Sequence, residues 1–317
     1  MLPTISEIHV ARERLKGVAR RTPLVRLDVP AAPAEIWLKL ENLQPIGSFK
    51  VRGAANAVAN IPATELARGV VVASAGNMAQ GVAWCARARG IRCTVIAPDT
   101  IPPAKRDAIE RLGARVIQVP FERWWQTFQE RQYPGVEGAF IHAFDDLRVM
   151  AGNGTIGVEI LEDLPDAEAV FIPWGGGGLT CGIGAAMRAL APRVRVYAAE
   201  TQSGAPLAAA FASGSPTAVD YHPSFVDGIG SRSVFPQMFE RARDVVDGSI
   251  VSSLPEISGA MRVLAERARV VAEGAGACGV AAALSGRGGR GKIVCVVSGG
   301  NIDLDRYAAL LVSGQPA

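Results

Sequence analysis

Short apolar runs rich in β-branched residues alternate along the chain with stretches in which apolar residues recur every three or four positions. The first pattern is typical of strands and the second of helices. The predicted strands cover residues 36–40, 70–73, 93–97, 115–119, 139–142, 169–173, 194–199 and 292–297. Several of them are almost wholly apolar, as strands buried on both faces of a sheet are. The alternation predicts an α/β fold with parallel sheets covered by helices.

The N-terminal segment predicts the first helix. Thr4 and Glu7 have the spacing of a capping box. Apolar residues then recur at positions 5, 8, 11, 15 and 18, which is helical spacing. We therefore expect a helix over about residues 5–19. Because charges enter early and no apolar core follows, we expect no secretory signal in this segment.

Composition narrows the class of protein. Of the 317 residues, 49% are hydrophobic and 20% are charged, which is enough apolar material for a large buried core. A formal net charge of +3 is too small to indicate binding to nucleic acid or to a membrane surface. Moreover, no apolar run approaches the ~18 residues that a membrane helix needs.

The cysteines and histidines exclude several kinds of chemistry. Five cysteines are scattered without a Cys-x-x-Cys pair, which favours free thiols in a reducing cytoplasm over a disulfide framework. Three histidines lack metal-ligand spacing, and no Gly-x-Ser-x-Gly elbow occurs, so zinc and serine-hydrolase mechanisms are disfavoured. We therefore expect a cytoplasmic enzyme without a metal site.

Four consecutive glycines, Gly175, Gly176, Gly177 and Gly178, follow the predicted strand 169–173. A plain turn seldom uses so many glycines, because each loses much backbone entropy on ordering. Such a loop lets successive N–H groups point at one anion, and the predicted helix after it adds its N-terminal dipole. We therefore predict a phosphate site here, with a tight strand-to-helix connection as the alternative. The Walker spacing is absent.

A second glycine motif formally matches the dinucleotide-binding fingerprint. Gly152, Gly154 and Gly157 have the Gly-x-Gly-x-x-Gly spacing. The residues before them do not form a convincing strand, which that fingerprint requires. We therefore expect close helix packing at these glycines and no dinucleotide.

Lys50 follows Gly-Ser-Phe and stands among small and apolar neighbours. A lysine in such a place is either a solvated surface charge or a desolvated amine suited to Schiff-base chemistry. The loop Ser74, Ala75, Gly76 and Asn77 joins a predicted buried strand to a helix. It can offer backbone N–H groups and a side-chain amide to a carboxylate, or it can simply cap the helix through Ser74 or Asn77.

A polar segment also follows the last predicted strand. The run Ser298-Gly299-Gly300-Asn301 stands at the carboxyl end of residues 292–297. In α/β sheets that end of a strand is where ligands bind, although a plain turn is the alternative.

These segments resemble those of the fold-type II pyridoxal-phosphate enzymes, specifically the threonine/serine dehydratase and serine racemase branch. The resemblance spans nearly the whole chain, and its motifs occur in the family's order. They are Gly47-Ser48-Phe49-Lys50, Ser74-Ala75-Gly76-Asn77, Gly175 to Gly178, Glu273-Gly274-Ala275-Gly276-Ala277 and Ser298-Gly299-Gly300-Asn301. The lysine segment is similar to the dehydratase form rather than to that of the cysteine synthase relatives, which perform β-replacement.

The resemblance implies a role for each site residue. Lys50 would bind pyridoxal 5'-phosphate covalently, and Phe49 would lie beside its ring. Asn77 would hydrogen-bond the ring's 3-hydroxyl oxygen, and Ser298 would face the ring nitrogen. The loop from Gly175 to Gly178 would hold the phosphate. Ser74, Ala75, Gly76 and Asn77 would bind the substrate carboxylate.

The resemblance also implies an architecture. The fold would be tryptophan synthase β-like, with two parallel α/β domains. A large cofactor-binding domain would comprise residues 1–52 and 150–317, and a small inserted domain residues 53–149. The enzyme would be a homodimer. Because the sequence ends soon after Ser298, we expect no C-terminal regulatory domain of the kind that some of these dehydratases have.

The activity implied by the resemblance is that of an ammonia-lyase, which converts a 3-hydroxy amino acid such as L-threonine or L-serine to a 2-oxo acid and ammonia. The alternatives are amino-acid racemisation, dehydration of 3-hydroxyaspartate or phenylserine, and a non-catalytic ligand-binding module that would have no need of Lys50. Racemases of the family have a serine at the position of Ala75, and an acidic metal ligand where this chain reads 201–206. Met78 replaces a common histidine.

Overall fold

Two sheets with helices on their faces organise the computed structural model, which describes residues 1–313. The strands are β1 (Leu24–Leu27), β2 (Glu35–Lys39), β3 (Val70–Ala73), β4 (Cys93–Pro98), β5 (Arg115–Val119), β6 (Ala139–Phe140), β7 (Ala169–Pro173), β8 (Arg195–Thr201), β9 (Gly248–Ser252) and β10 (Lys292–Val296). The larger sheet has the order β1-β2-β10-β7-β8-β9, and the smaller has the order β5-β4-β3-β6. The predicted α/β fold class is confirmed.

Helices connect the strands and cover the sheets. They are α1 (Ile5–Arg14), α2 (Lys50–Ala59), α3 (Ala63–Leu66), α4 (Asn77–Ala88), α5 (Pro103–Arg111), α6 (Phe121–Glu130), α7 (Leu147–Asp163), α8 (Gly178–Leu190), α9 (Pro206–Ser213), α10 (Pro236–Val245), α11 (Leu254–Val263), α12 (Gly274–Leu284) and α13 (Leu304–Ser313). Within residues 1–313, no helix combines the length and hydropathy that a membrane span requires.

The strands pair in parallel with one exception. At the edge of the larger sheet, β1 runs antiparallel to β2, with Leu24 opposite Lys39. All residues of β3 and β7 are buried, which explains their continuous apolar sequences. The prediction missed β1 and β9, which are edge strands with partly exposed residues and therefore carry no unbroken apolar run.

Several predicted boundaries are wrong by a few residues. The helix expected over 5–19 ends at Arg14, because the chain turns at Gly17, whose φ is +75°. Leu15 stays buried after the helix ends, so the apolar spacing outlasts the helix. The strand expected over 139–142 comprises only Ala139–Phe140.

The glycines with dinucleotide-like spacing lie inside α7 and allow it to pack closely against its neighbours. A Cβ at Gly154 would lie 2.8 Å from the carbonyl oxygen of Gly182 in α8. A Cβ at Gly157 would lie 2.9 Å from that of Ala186 in the same helix. At Gly152 a Cβ would collide with the carbonyl of Arg52 in α2. The prediction that these glycines serve helix packing is confirmed.

A buried ionic network anchors α2 close to the segment that carries Lys50. The Arg52 guanidinium donates to Glu41 (Nε–Oε2 2.8 Å) and to Glu159 (Nη1–Oε1 2.7 Å). Lys39 Nζ donates to Glu159 Oε2 at 2.6 Å. Burial acts to raise the pKa of Glu159, but Arg52 and Lys39 outweigh it and hold that pKa below its ordinary value. The network therefore joins β2, α2 and α7 through paired charges.

Candidate active site

A cavity of about 630 Å³ lies where the carboxyl ends of β3, β7 and β10 are followed by their loops. In open α/β sheets ligands bind at this end of the strands. The cavity brings together every residue that the sequence predicted for the site. They are Phe49, Lys50, Ser74, Ala75, Gly76, Asn77, Gly175, Gly176, Gly177, Gly178 and Ser298.

Lys50 is the first residue of α2, and its amine lies inside the protein rather than in bulk solvent. Its Nζ is 3.4 Å from the carbonyl oxygen of Ala143 and 4.9 Å from the centre of the Phe49 ring. Burial lowers the pKa of Lys50 to about 8, against an opposing attraction from Glu273. A substantial fraction of the amine is therefore neutral, and hence nucleophilic, near neutral pH.

The segment before Lys50 is held by backbone contacts to the polar segment after β10. Phe49 N–H donates to the carbonyl oxygen of Ser298 at 3.0 Å, and Gly300 N–H donates to that of Gly47 at 2.9 Å. Ser48 and Gly299 form an antiparallel bridge. These bonds fix Lys50 beside Ser298, although the two residues are far apart in sequence.

The glycine loop presents unfilled donors to the cavity. Within residues 1–313, the amides of Gly175, Gly176, Gly177 and Gly178 donate to no protein acceptor. Gly177 has φ +90°, which L residues rarely adopt, and α8 begins immediately after it. Successive N–H groups at a helix N-terminus form an anion site. The phosphate interpretation is therefore favoured over a plain connection.

The loop from Ser74 to Asn77 leaves α4 without a side-chain cap. The Ser74 hydroxyl accepts from the amide of Gly76 at 3.2 Å. The capping alternative considered for Ser74 and Asn77 is therefore wrong. In the described part of the chain, the amides of Ala75, Asn77 and Met78 have no acceptor, so they are available to a ligand carboxylate.

Asn77 and Glu273 are linked by side-chain contacts. Asn77 Nδ2 donates to Glu273 Oε1 at 3.0 Å, and Asn301 Nδ2 donates to Asn77 Oδ1 at 2.8 Å. Burial raises the pKa of Glu273 to about 7, and Asp227 adds to the effect. The sequence analysis quoted the Glu273 segment without assigning it a role. Its signal was an acid directly before a helix of small residues.

Ser298 follows β10 and is almost fully buried. Its hydroxyl makes no side-chain hydrogen bond to the described residues, although it lines the cavity with Lys50. It is therefore free to contact a ligand.

Glu200 has a structural partner set of its own. Its carboxylate accepts from the amides of Leu207 at 2.9 Å and Ala208 at 2.8 Å, so it caps α9. Ser249 also donates to it. Among residues 1–313, no group of three or more potential metal ligands occurs.

Residues 15–299 match the family described as pyridoxal-phosphate dependent enzymes. The chain belongs to that family. Family members similar to it include the L-threonine ammonia-lyase of Thermotoga maritima, 40% identical over 98% of this chain and 79% of that protein. The predicted family is confirmed, and pyridoxal phosphate is the cofactor.

Two solved structures support the same conclusion for the fold. A threonine deaminase from the source abbreviated T.th. has a TM-score of 0.88 at 30% identity, over 95% of this chain and 99% of that chain. The serine racemase of Dictyostelium discoideum has a TM-score of 0.87 at 31% identity, also over 95% and 99%. The fold-type II assignment is therefore confirmed.

The residues present fit the family's cofactor. It needs an anion site for its phosphate, a nucleophilic amine for its aldehyde and polar partners at the ring. The cavity contains unfilled glycine amides, a lysine of lowered pKa, and the side chains of Asn77 and Ser298.

The lowered pKa of Lys50 predicts the pH dependence of cofactor attachment. Only the neutral amine reacts, so the rate at which cofactor-free protein forms its visible absorption band should rise with pH and level off above about pH 8. Nα-acetyl-lysine serves as the control, and its rate should keep rising towards the ordinary value of 10.5. A protein profile that follows the control would contradict the burial of the amine.

Replacing Gly177 by alanine should weaken cofactor binding. A residue with a side chain is strained at φ +90°, and its Cβ would collide with the Trp174 ring. Strain of about 1–3 kcal/mol corresponds to an affinity loss of roughly 10- to 100-fold, measurable by titrating cofactor-free protein. Gly214→Ala is the matched control, because Gly214 has φ +78° but open space around its Cβ. Equal losses in both variants would show a global effect rather than a phosphate site.

Proposed function

We propose that this enzyme eliminates water and ammonia from a 3-hydroxy amino acid and yields a 2-oxo acid, as a carbon–oxygen lyase. The observation that carries the proposal is a single cavity in which the amine of Lys50 stands among two loops with unfilled N–H groups. The names of relatives such as the Thermotoga L-threonine ammonia-lyase support it, with threonine or serine as the first substrates to test.

We assign the cofactor contacts by the chemistry of the donors. Lys50 attaches the cofactor, and Phe49 lies beside the ring. The amides from Gly175 to Gly178 hold its phosphate. Asn77 binds the 3-hydroxyl oxygen, and Ser298 faces the ring nitrogen. A neutral serine there does not stabilise a positive ring nitrogen as a carboxylate would, which favours prompt elimination.

The remaining work falls to Lys50 and the loop from Ser74 to Asn77. When bound, pyridoxal phosphate supplies the electron sink that acidifies the α-hydrogen of the substrate. Lys50 Nζ, freed by the substrate amine, takes that α-hydrogen, and a positioned base of this kind contributes roughly 10²–10⁴-fold. The amides of Ala75, Asn77 and Met78 orient the substrate carboxylate.

Racemisation is the second candidate, because a serine racemase shares the fold at 31% identity. Inversion needs a second acid/base on the face opposite Lys50, and Ala75 has no ionisable hydrogen. The neighbouring Ser74 hydroxyl accepts from Gly76 and would have to reorient. We therefore expect elimination to dominate.

One assay tests both candidates. Purified enzyme is incubated with threonine or serine, and 2-oxo acid release is followed beside chiral chromatography of the unreacted amino acid. Elimination with little inversion supports the proposal. Inverted amino acid that accumulates as fast as the oxo acid forms contradicts it. Ala75→Ser should then introduce inversion if Lys50 serves only one face.

We further propose two structural units, residues 53–149 and residues 1–52 with 150–317. The smaller sheet is formed by β3, β4, β5 and β6, which lie inside the first range, and the larger sheet by strands outside it. Both boundaries fall within helices, α2 and α7, which pack against each other across them.

We also propose a cytoplasmic homodimer. Leu43 and Val271 are exposed, and Asn42 Nδ2 donates to the carbonyl oxygen of Val271 at 3.1 Å, so the two apolar side chains stand on one surface. All five cysteines are free and buried, in keeping with a reducing compartment. Light scattering of the purified enzyme tests the dimer, and Leu43→Glu should shift it towards monomer.

A further inference from the structure

A second cavity of about 290 Å³ adjoins the active site. Lys50, Ser74 and Gly176 line both cavities, so the two meet at the amine and at the loop proposed to bind the substrate carboxylate. A substituent on the β-carbon of a substrate held there has this space beside it.

The wall of the second cavity is aromatic. Helix α6 contributes Trp124, Trp125 and Phe128, while Phe144 and Phe235 come from loops before α7 and α10. The rings support one another, with centroid distances of 5.7 Å between Trp125 and Phe235 and 5.4 Å between Phe144 and Phe235. Such tilted contacts fix the wall in place before any ligand arrives.

The glycine loop and this wall are built together. A Cβ at Gly176 would collide with the ring of Phe144, so the absence of a side chain there gives Phe144 its place. The aromatic wall therefore reaches the loop that is proposed to hold the phosphate.

The charged groups near this cavity are already paired. Asp227, which lines it, accepts from Lys105 Nζ at 2.7 Å. The Asp145 carboxylate, close behind the wall, is paired with Arg131 and Arg241. The ligand therefore meets mainly uncharged aromatic surface, which does not suit an acidic substituent such as that of 3-hydroxyaspartate.

The size of the cavity decides between the remaining substituents. The methyl group of threonine or the hydrogen of serine would leave most of it unfilled, whereas an apolar cavity of about 150 Å³ suffices for benzene. Resting on the proposed elimination, we infer that the preferred substrate carries an aromatic ring on its β-carbon, as in 3-phenylserine.

The reaction balances without a further reactant. Lys50 Nζ takes the α-proton, the bond from the β-carbon to oxygen breaks, and the hydroxyl leaves with a proton as water. A carbon–carbon double bond forms, and the released enamine takes up a proton at the β-carbon to become an imine. One water molecule then hydrolyses the imine, so phenylserine gives phenylpyruvate and ammonia.

The first test compares kcat/KM of the purified holoenzyme for threo-3-phenylserine and L-threonine by 2-oxo acid release. The ratio should be at least about tenfold in favour of phenylserine, since even one methylene in an apolar site is worth about 10- to 200-fold. A smaller ratio with active enzyme overturns the aromatic assignment alone. Release from none of the 3-hydroxy amino acids overturns the proposed elimination as well.

Binding must be separated from the intrinsic ease with which a benzylic hydroxyl leaves. L-Phenylalanine and L-2-aminobutyrate match the two substrates but lack the hydroxyl. As competitive inhibitors of the holoenzyme, they should differ in inhibition constant by at least about tenfold in favour of phenylalanine. Equal constants would overturn the inference even if phenylserine reacts faster.

A variant locates the effect. Trp125→Ala removes one side of the wall and should reduce the phenylserine-to-threonine ratio of kcat/KM by at least about fivefold. Phe211→Ala is the control, because Phe211 stacks on Phe239 elsewhere in the fold and its loss should leave the ratio unchanged. A ratio that falls equally in both variants, or in neither, overturns the assignment of the wall.

Discussion

Lys50→Ala is expected to lower turnover of any 3-hydroxy amino acid by at least about 10³-fold and to remove the visible absorption of lysine-bound cofactor. Two functions are lost at once, because the same amine attaches the cofactor and removes the α-hydrogen. Absorption spectra and 2-oxo acid release of the purified variant measure the two losses. Borohydride reduction of the unmodified enzyme should place the cofactor on the peptide that contains Lys50.

Two controls distinguish loss of the amine from other effects. Lys50→Arg keeps the positive charge without a nucleophilic amine and should be equally inactive. Lys16→Ala removes an exposed lysine that is paired with Glu13 and should retain full activity. If Lys50→Ala keeps more than about a tenth of the turnover, another group is the base and our assignment is wrong.

Arg52→Ala is expected to lower the free energy of unfolding by about 3–5 kcal/mol. The substitution leaves the carboxylates of Glu41 and Glu159 buried without their main partner, and an uncompensated buried charge is costly. Because Lys50 is only two residues away on α2, cofactor retention should fall as well. Urea unfolding followed by circular dichroism measures the change.

The matched control is an arginine in an exposed ion pair. Arg262 Nε lies 2.8 Å from Glu266 Oε1 on the surface, and Arg262→Ala should cost no more than about 0.5 kcal/mol. If Arg52→Ala fails to fold, Glu41→Gln removes one charge of the same network and should still destabilise more than the control. Equal costs at the two sites would contradict the energetic importance of the network.

Much of the fold could be predicted because strand patterns are local. The ranges 70–73, 115–119 and 169–173 agree with the observed strands residue for residue, since an apolar run bounded by turn residues is encoded within a few positions. The convergence of the site also followed from the pattern. Parallel strands direct their carboxyl ends to one edge, so loops at residues 74–77 and 175–178 were expected to meet.

Other features of the site had no local signature. Glu273 contacts Asn77 through a pairing of α4 with the start of α12, and no pattern around either residue indicates the partner. The spacing of Trp124, Trp125 and Phe128 predicts one aromatic face of a helix. That this face meets Phe235 depends on how α6 and α10 are placed.

The sequence by itself determined the strand runs, the glycine loop, the polar segment after β10 and the lysine among small neighbours, because each is written in adjacent residues. Only the tertiary structure decided that the Lys50 amine is buried with a pKa of about 8, and that Arg52 is buried between two carboxylates. It also decided that an aromatic cavity adjoins the amine. Desolvation and charge pairing depend on atoms contributed by distant segments, so no local pattern contains them.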